Sequence, residues 1–282
     1  MNKIGFNLLA WSASIGEEFY PHIERLNKTG YDILEFAMGN RDPKAYKALG
    51  TLLADLGMEA TAVTVLPAEA NPVSPDAAVR QQAIDLLKVD IDMAVETGAR
   101  ILCGPIHSAF ATFSSRAPQP VEVEYCAEVL RAAGDHAEQA DMTLAVESLN
   151  RFECYLSNTT AQLKQICDLA DHPRVKAMFD THHANIEEKS IAGAIDTIAS
   201  DLVHVQISEN DRGTPGDGHI DFAEVFTKLR EIHYDGPLVI EAFTRDDVEF
   251  ANAINVWRTF SEPWDIAEQG LNFIRQQLQE AT

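Results

Sequence analysis

Four short apolar runs in the second half of the chain each stop on a side chain that carries oxygen: Leu144-Ala145-Val146-Glu147, Ala177-Met178-Phe179-Asp180, Val203-His204-Val205-Gln206 and Val239-Ile240-Glu241. An apolar run that ends on a carboxylate or amide reads as a buried strand emerging at a functional face. Three carboxylates crowded together repel one another and raise each other's pKa values, and a hard divalent cation such as Mg²⁺ or Mn²⁺ relieves the conflict by taking their oxygens as ligands. One such acid alone could equally well end its strand facing solvent. Recurrence at four successive strand ends argues for a metal enzyme.

Groups so far apart in sequence need a fold that gathers strand ends on one side. A β-type run follows an amphipathic helix repeatedly, with Gly at the junction: Gly30 before Tyr31-Asp32-Ile33-Leu34, Gly57 before the run at 59–63, Gly98 before Arg100-Ile101-Leu102, and Gly236 before Leu238-Val239-Ile240. Adding Lys3 to Leu8 and the runs at 142–147, 174–180 and 202–207 gives eight strands with a helix after each. The expected fold is α/β, a single (β/α)8 TIM barrel over residues 1–282 with its active site at the C-terminal strand ends. Glu35, Glu147, Asp180, Gln206 and Glu241 then point to a common region. A doubly wound sheet would need a Gly-rich phosphate fingerprint after an early strand, and none occurs. The cluster Gly213-Thr-Pro-Gly216-Asp-Gly218 follows the seventh strand, lacks the Lys-Ser/Thr of a P-loop, and reads as a rigid loop at the active face. The irregular stretch from Pro105 to Pro120 reads as a lid or binding loop. Trp11, Phe36 and His107 follow strands one, two and four and are candidates for the pocket wall, although aromatic side chains near strand ends more often pack than recognise ligands.

Composition prunes the alternatives. A formal charge of -22 disfavours nucleic acid as a partner, because phosphate-backbone affinity comes from Lys and Arg. No apolar stretch approaches the roughly 20 residues of a membrane span, so no membrane partner is expected. Cys103, Cys126, Cys154 and Cys167 are scattered without a CxxC pair and read as reduced thiols. With no secretory leader recognised at Met1-Asn2-Lys3, the expected location is cytoplasmic.

The segments Glu147-Ser-Leu-Asn-Arg-Phe-Glu153, Phe179-Asp180-Thr-His-His183, Ser208-Glu-Asn-Asp-Arg212-Gly-Thr-Pro-Gly216 and Ile240-Glu241-Ala-Phe243 resemble the metal-dependent ketose 3-epimerases, the D-tagatose and D-allulose 3-epimerases of the xylose-isomerase-like barrels. The resemblance runs from Ile4 to Val256-Trp257-Arg258 and is densest over 142–243. It implies metal ligands at Glu147, Asp180, Gln206 and Glu241, and inversion at C3 of a free ketose through a cis-enediolate, with Glu147 and Glu241 as the acid/base pair. It implies substrate contacts from Glu153, His183 and Arg212, a small-molecule sugar as partner, and a homodimer or homotetramer. The segment from Trp257 to Trp264 is expected to form a packing or dimer surface. One ligand departs from the usual pattern: strand seven reads His204-Val205-Gln206 where the family commonly has His-x-His. Family spacing falls on Gln206, with His204 one layer deeper. An amide oxygen in place of a nitrogen favours harder ions, so Mn²⁺ or Mg²⁺ is expected over Zn²⁺, with Co²⁺ a third candidate. His182, His204 and His219 read as structural histidines. Three rivals remain: a hydroxypyruvate isomerase-like aldose-ketose isomerase, which Gln206 suits; an abasic-site endonuclease, which would need histidine-rich zinc sites and a basic surface; and a non-catalytic sugar-binding barrel.

Overall fold

Strands joined through helices must run parallel, and a twisted parallel sheet of eight strands closes on itself. The structure, a computed structural model, describes residues 2–280. Its strands are β1 (Ile4–Asn7), β2 (Ile33–Ala37), β3 (Glu59–Val63), β4 (Ile101–Gly104), β5 (Thr143–Val146), β6 (Val175–Asp180), β7 (Leu202–Ile207) and β8 (Leu238–Ile240). They form a closed barrel in sequence order, with β8 paired to β1. The outer ring holds α1 (Tyr20–Thr29), α2 (Pro43–Leu56), α3 (Ala77–Glu96), α4 (Pro120–Gln139), α5 (Thr160–Ala170), α6 (Thr181–Glu187), α7 (Ile191–Ile198), α8 (Phe222–Glu231), α9 (Val248–Ala253) and α10 (Pro263–Glu280). The expected barrel is present, with two helices after β6 and two after β8. Among the described residues no helix is long and apolar enough to cross a membrane.

Gly30 and Gly57 close α1 and α2 in the left-handed region, at φ 109° and 67°, where a Cβ would be strained. The expected closure at Gly236 does not occur. His233 takes the left-handed position after α8, at φ 56°, before the chain turns into β8.

Side-chain alternation sorts each strand into an inner and an outer face. On β1 and β2, Asn7 and Glu35 point inward in register, joined by Thr61 on β3. Phe36 points outward and packs edge-on against Tyr46 of α2 with ring centroids 5.9 Å apart, both side chains fully buried. A register shift between Ala177 and Met178 opposes Asp180 to Gln206 and Met178 to His204. Such a bulge re-aims the strand end. Gln206 therefore lies level with Asp180, and His204 one layer deeper.

Candidate active site

Glu147 and Glu241 are the first residues beyond β5 and β8. Their backbone N–H groups still donate to the neighbouring strands, to Gly104 O at 2.9 Å and Ile207 O at 3.2 Å, so the rigid barrel fixes where both carboxyls start. Asp180 ends β6 and caps α6, its Oδ1 accepting from the N–H of His182 at 2.6 Å and of His183 at 3.3 Å. That turn fixes the carboxylate and His183 together. The second oxygen, Oδ2, accepts from Arg212 Nη1 at 3.0 Å, and the same Nη1 donates to Glu241 Oε2 at 2.9 Å and Ser208 Oγ at 2.8 Å. Arg212 is buried, with its guanidinium 4.6 Å from the ring centre of Phe243.

The loop carrying Arg212 is held under strain. Arg212 has φ 65°, a left-handed conformation that non-glycine residues keep only when their surroundings enforce it. Enforcement comes from Glu209, a buried carboxylate that accepts from the N–H groups of Gly216 at 2.9 Å, Asn210 at 3.0 Å and Ile220 at 3.2 Å. A Cβ at Gly218 would stand 2.4 Å from the Glu209 carboxyl carbon, so glycine permits the loop's close approach. The Gly/Pro cluster is thus wrapped around one acid.

Asn150 organises the opposite side. Its backbone N–H donates to His183 Nδ1 at 3.1 Å, its side-chain nitrogen lies 2.9 Å from the same atom, and that nitrogen donates to Glu153 Oε1 at 2.8 Å. His183 Nε2 lies 2.8 Å from Arg212 Nη2, which can only donate, and 3.5 Å from Glu147 Oε1. A guanidinium so placed favours an oxyanion.

Electrostatics divide the acids. Burial pushes the Glu147 carboxyl well above its ordinary range, and the nearby Glu241 and Asp180 carboxylates push it further. Glu241 is also driven well up by burial, and Asp180 adds to the effect while Arg212 opposes it. Asp180 goes the other way: burial would raise it, but Arg212, His183 and His182 outweigh that and hold it at about 2. Burial and Arg212 push His183 well below 6.5, which keeps the ring neutral.

Directly beneath lies a second polar layer. Glu35 is fully buried, its Oε2 lying 2.9 Å from His204 Nε2 and accepting from Thr61 Oγ1 at 2.9 Å and from the Cys103 thiol at 3.5 Å. Its Oε1 accepts from Asn7 Nδ2 at 2.9 Å and Gln206 Nε2 at 2.7 Å. Both amides also donate upward to Glu241 Oε1, Asn7 at 3.3 Å and Gln206 at 3.0 Å. Burial would raise the Glu35 carboxyl, yet His204 and its other partners bring it below the ordinary value.

The sequence profile of xylose isomerase-like TIM barrels matches residues 23–277. A ketose 3-epimerase of Arthrobacter globiformis is 30% identical over 98% of this chain and 96% of its own. The chain belongs to the ketose 3-epimerase family of xylose isomerase-like barrels. These are isomerase-class carbohydrate epimerases. The solved structure of an L-ribulose 3-epimerase superposes with a TM-score of 0.93, at 29% identity, over 100% of this chain and 96% of that one. A D-allulose 3-epimerase from Methylomonas sp., solved in complex with D-allulose, gives 0.91 at 27% identity, covering 98% of this chain and 97% of that one.

For an epimerase of this family, the buried oxygens test whether a divalent cation fits. Glu147 Oε1 and Gln206 Oε1 are buried without a hydrogen-bond partner. Glu147, Asp180 and His183 each bring a ligand atom within 4.8 Å of the others. Three carboxyl groups face one guanidinium, and a divalent cation would offset the excess charge as they ionise. An oxygen-rich donor set with two unsatisfied buried oxygens suits a hard ion.

Two of the three pocket-wall expectations, Phe36 and Trp11, need correction. Phe36 is turned away from the site by strand parity. Trp11 follows a short 3₁₀ turn at Leu8–Ala10 and packs among Phe6, His22 and Trp264, with ring centroids 5.2, 5.1 and 4.9 Å away. His107 is fully buried beside Ser108 and Cys154, with Nδ1 3.1 Å from Ser108 Oγ. A mostly apolar cavity of about 480 Å³ at the ends of β2 and β3 is lined by Leu9, Ala37, Val63, Leu66, Phe110 and Phe250, with Arg41 and Thr64 beside them. Phe110 belongs to the irregular stretch expected to cover the site. Sequence reading missed Glu209, Asn150 and Ser208, although each lies inside or beside a motif that carried the resemblance.

Proposed function

We propose that the chain inverts C3 of a free ketose of the D-tagatose, D-fructose or L-ribulose type, with Glu147 and Glu241 as the acid/base pair. One divalent cation, Mn²⁺ or Mg²⁺, is held by Glu147, Asp180, Gln206 and Glu241. The reading is carried by one observation: two buried glutamates with raised pKa values flank the Arg212 guanidinium, whose Nη1 donates to Glu241 and whose Nη2 lies 2.8 Å from His183 Nε2. When bound, the cation supplies a Lewis acid that draws charge from the ketose oxygens and offsets the excess carboxylates.

The chain's own groups then divide the work. Loss of the C3 proton sends negative charge to O2, where the Arg212 guanidinium donates. One glutamate takes the C3 proton and the other, protonated, delivers one to the opposite face of the carbon. A carboxyl pushed up toward neutrality serves both duties better than one of ordinary strength. Glu153, oriented by Asn150, holds the C1 end of the sugar. The mostly apolar cavity at the ends of β2 and β3 accepts the remaining carbons, and burial of the acids excludes bulk water from the exchanging proton.

Self-association as a homodimer or homotetramer belongs to the same reading, supported by Trp257, which is 67% exposed. Sedimentation velocity tests it. A cytoplasmic setting is supported by four buried cysteines, all free thiols.

The deciding experiment incubates Mn²⁺-loaded protein with D-tagatose, D-fructose or L-ribulose in D₂O and follows deuterium by NMR. Epimerisation puts deuterium at C3 together with the C3 epimer. Deuterium at C1 alone would replace the reading with aldose-ketose isomerisation, and no exchange with any ketose would leave a sugar-binding barrel.

A further inference from the structure

Gln206 has one carbonyl oxygen and one NH₂ group, and only one orientation of this amide presents oxygen to a cation. Its Nε2 lies 2.7 Å from Glu35 Oε1 and 3.0 Å from Glu241 Oε1. Rotating the amide by 180° would set its oxygen against both carboxyl oxygens and lose two hydrogen bonds, so these acceptors select the orientation. The selected orientation leaves Gln206 Oε1 buried without a partner. A buried acceptor left unmatched is unfavourable, which points to a partner for it in the functional state.

The two acceptors are not equivalent. Glu241 stands at the mouth and is assigned to the sugar and the cation, so its carboxyl is a working group. Glu35 stands one layer down, wholly buried and engaged from every side: Asn7 and Gln206 on Oε1, Thr61, Cys103 and His204 on Oε2. The five partners come from four other strands, β1, β3, β4 and β7, so the position of this carboxylate is set by the barrel as a whole.

We propose that Glu35 is a positioning residue for the cation site: it holds the Gln206 amide by its NH₂ group so that the carbonyl oxygen faces the metal. The role rests on the reading of Gln206 as a metal ligand. It also accounts for a glutamine on β7. An imidazole that ligates through one nitrogen has a single N–H left to give, whereas the Gln206 amide ties Glu35 and Glu241 together with two. Partners that orient a ligand in this way typically govern metal affinity by 10–100-fold.

Isothermal titration of Mn²⁺ into chelator-stripped protein tests the role. Glu35→Met keeps the side-chain length and removes the acceptor, and it should weaken Mn²⁺ binding about 10–100-fold. Glu35→Gln retains an acceptor and should restore most of the affinity. In a Gln206→Ala background, Glu35→Met should cost at most about threefold more, because the two act through one contact. Should Glu35→Met fail to fold, Glu35→Asp keeps the charge beside His204 while withdrawing the acceptor, and it should also weaken binding. Wild-type affinity in the folded Met or Asp variant would overturn the role. So would a loss that persists undiminished without Gln206, since that marks a general packing effect. A wild-type protein that takes up no Mn²⁺ would instead overturn the cation reading beneath it.

Discussion

Two polar layers are stacked inside this barrel, built from the same kinds of residue and buried to the same degree, yet they behave in opposite ways. The lower layer sets the single carboxylate of Glu35 beside the His204 imidazole, with Thr61, Asn7 and Cys103 donating to it, while neither ring nitrogen of His204 has a hydrogen-bond partner among the described residues. The upper layer sets Glu147, Asp180 and Glu241 against one guanidinium and leaves Glu147 Oε1 and Gln206 Oε1 unmatched. Burial alone therefore does not mark a functional site. An excess of carboxyl groups does: one carboxylate among donors serves as scaffold, whereas three crowded on one guanidinium invite a cation and a substrate.

The largest effect that would sharpen this contrast is catalytic. Glu147→Gln and Glu241→Gln should each lower kcat for C3 epimerisation by about 10²–10⁴-fold, as loss of a general acid or base does, with the melting temperature little changed. A variant within tenfold of wild type would remove that residue from the proton path. The lower layer should respond in stability instead. His204→Ala leaves the buried Glu35 carboxylate without the imidazole beside it and should cost about 3–5 kcal/mol in urea unfolding. A loss under about 1 kcal/mol would mean the layer is not held by that pair.

The layers also differ in pH response. In metal-free protein Glu147 and Glu241 have pKa values above the 4.5 of the unfolded chain, so the stability they contribute is full below that pH and is lost as pH rises through the raised values. Asp180, held at about 2, contributes stability above the unfolded value of 3.8 that is lost only as pH falls toward 2. Thermal melts of chelator-stripped protein should therefore fall as pH rises above the 4.5 of the unfolded carboxyls, and added Mn²⁺ should flatten the trend. A melting temperature that rises over that range without metal would contradict the assignment. The smallest effect belongs to Thr61→Val, which removes one donor to Glu35 and should cost about 1 kcal/mol in urea unfolding without altering Mn²⁺ affinity.

What the sequence disclosed followed from local rules. Apolar runs ending on Glu147, Asp180, Gln206 and Glu241 were legible because strand length and period are written in consecutive residues, and the βα rhythm then dictated a barrel. Phe36 was misplaced although the same rule applies to it: its neighbour Glu35 points inward, so parity sends Phe36 to α2. Trp11 escaped because the 3₁₀ turn after β1 breaks the alternation. The positive φ of Arg212, the pinning of its loop by Glu209, and the hold of Glu35 on an amide 171 positions away depend on closure of the whole barrel. No local pattern encodes them.

The contrast between the layers is tested most directly by titrating Mn²⁺ into the wild-type, Gln206→Ala and His204→Ala proteins under identical conditions. One cation should bind per chain in the wild type, with affinity falling steeply in Gln206→Ala and only slightly in His204→Ala. The opposite ranking would contradict the account, because it would place the cation a layer deeper, beside His204 and Glu35.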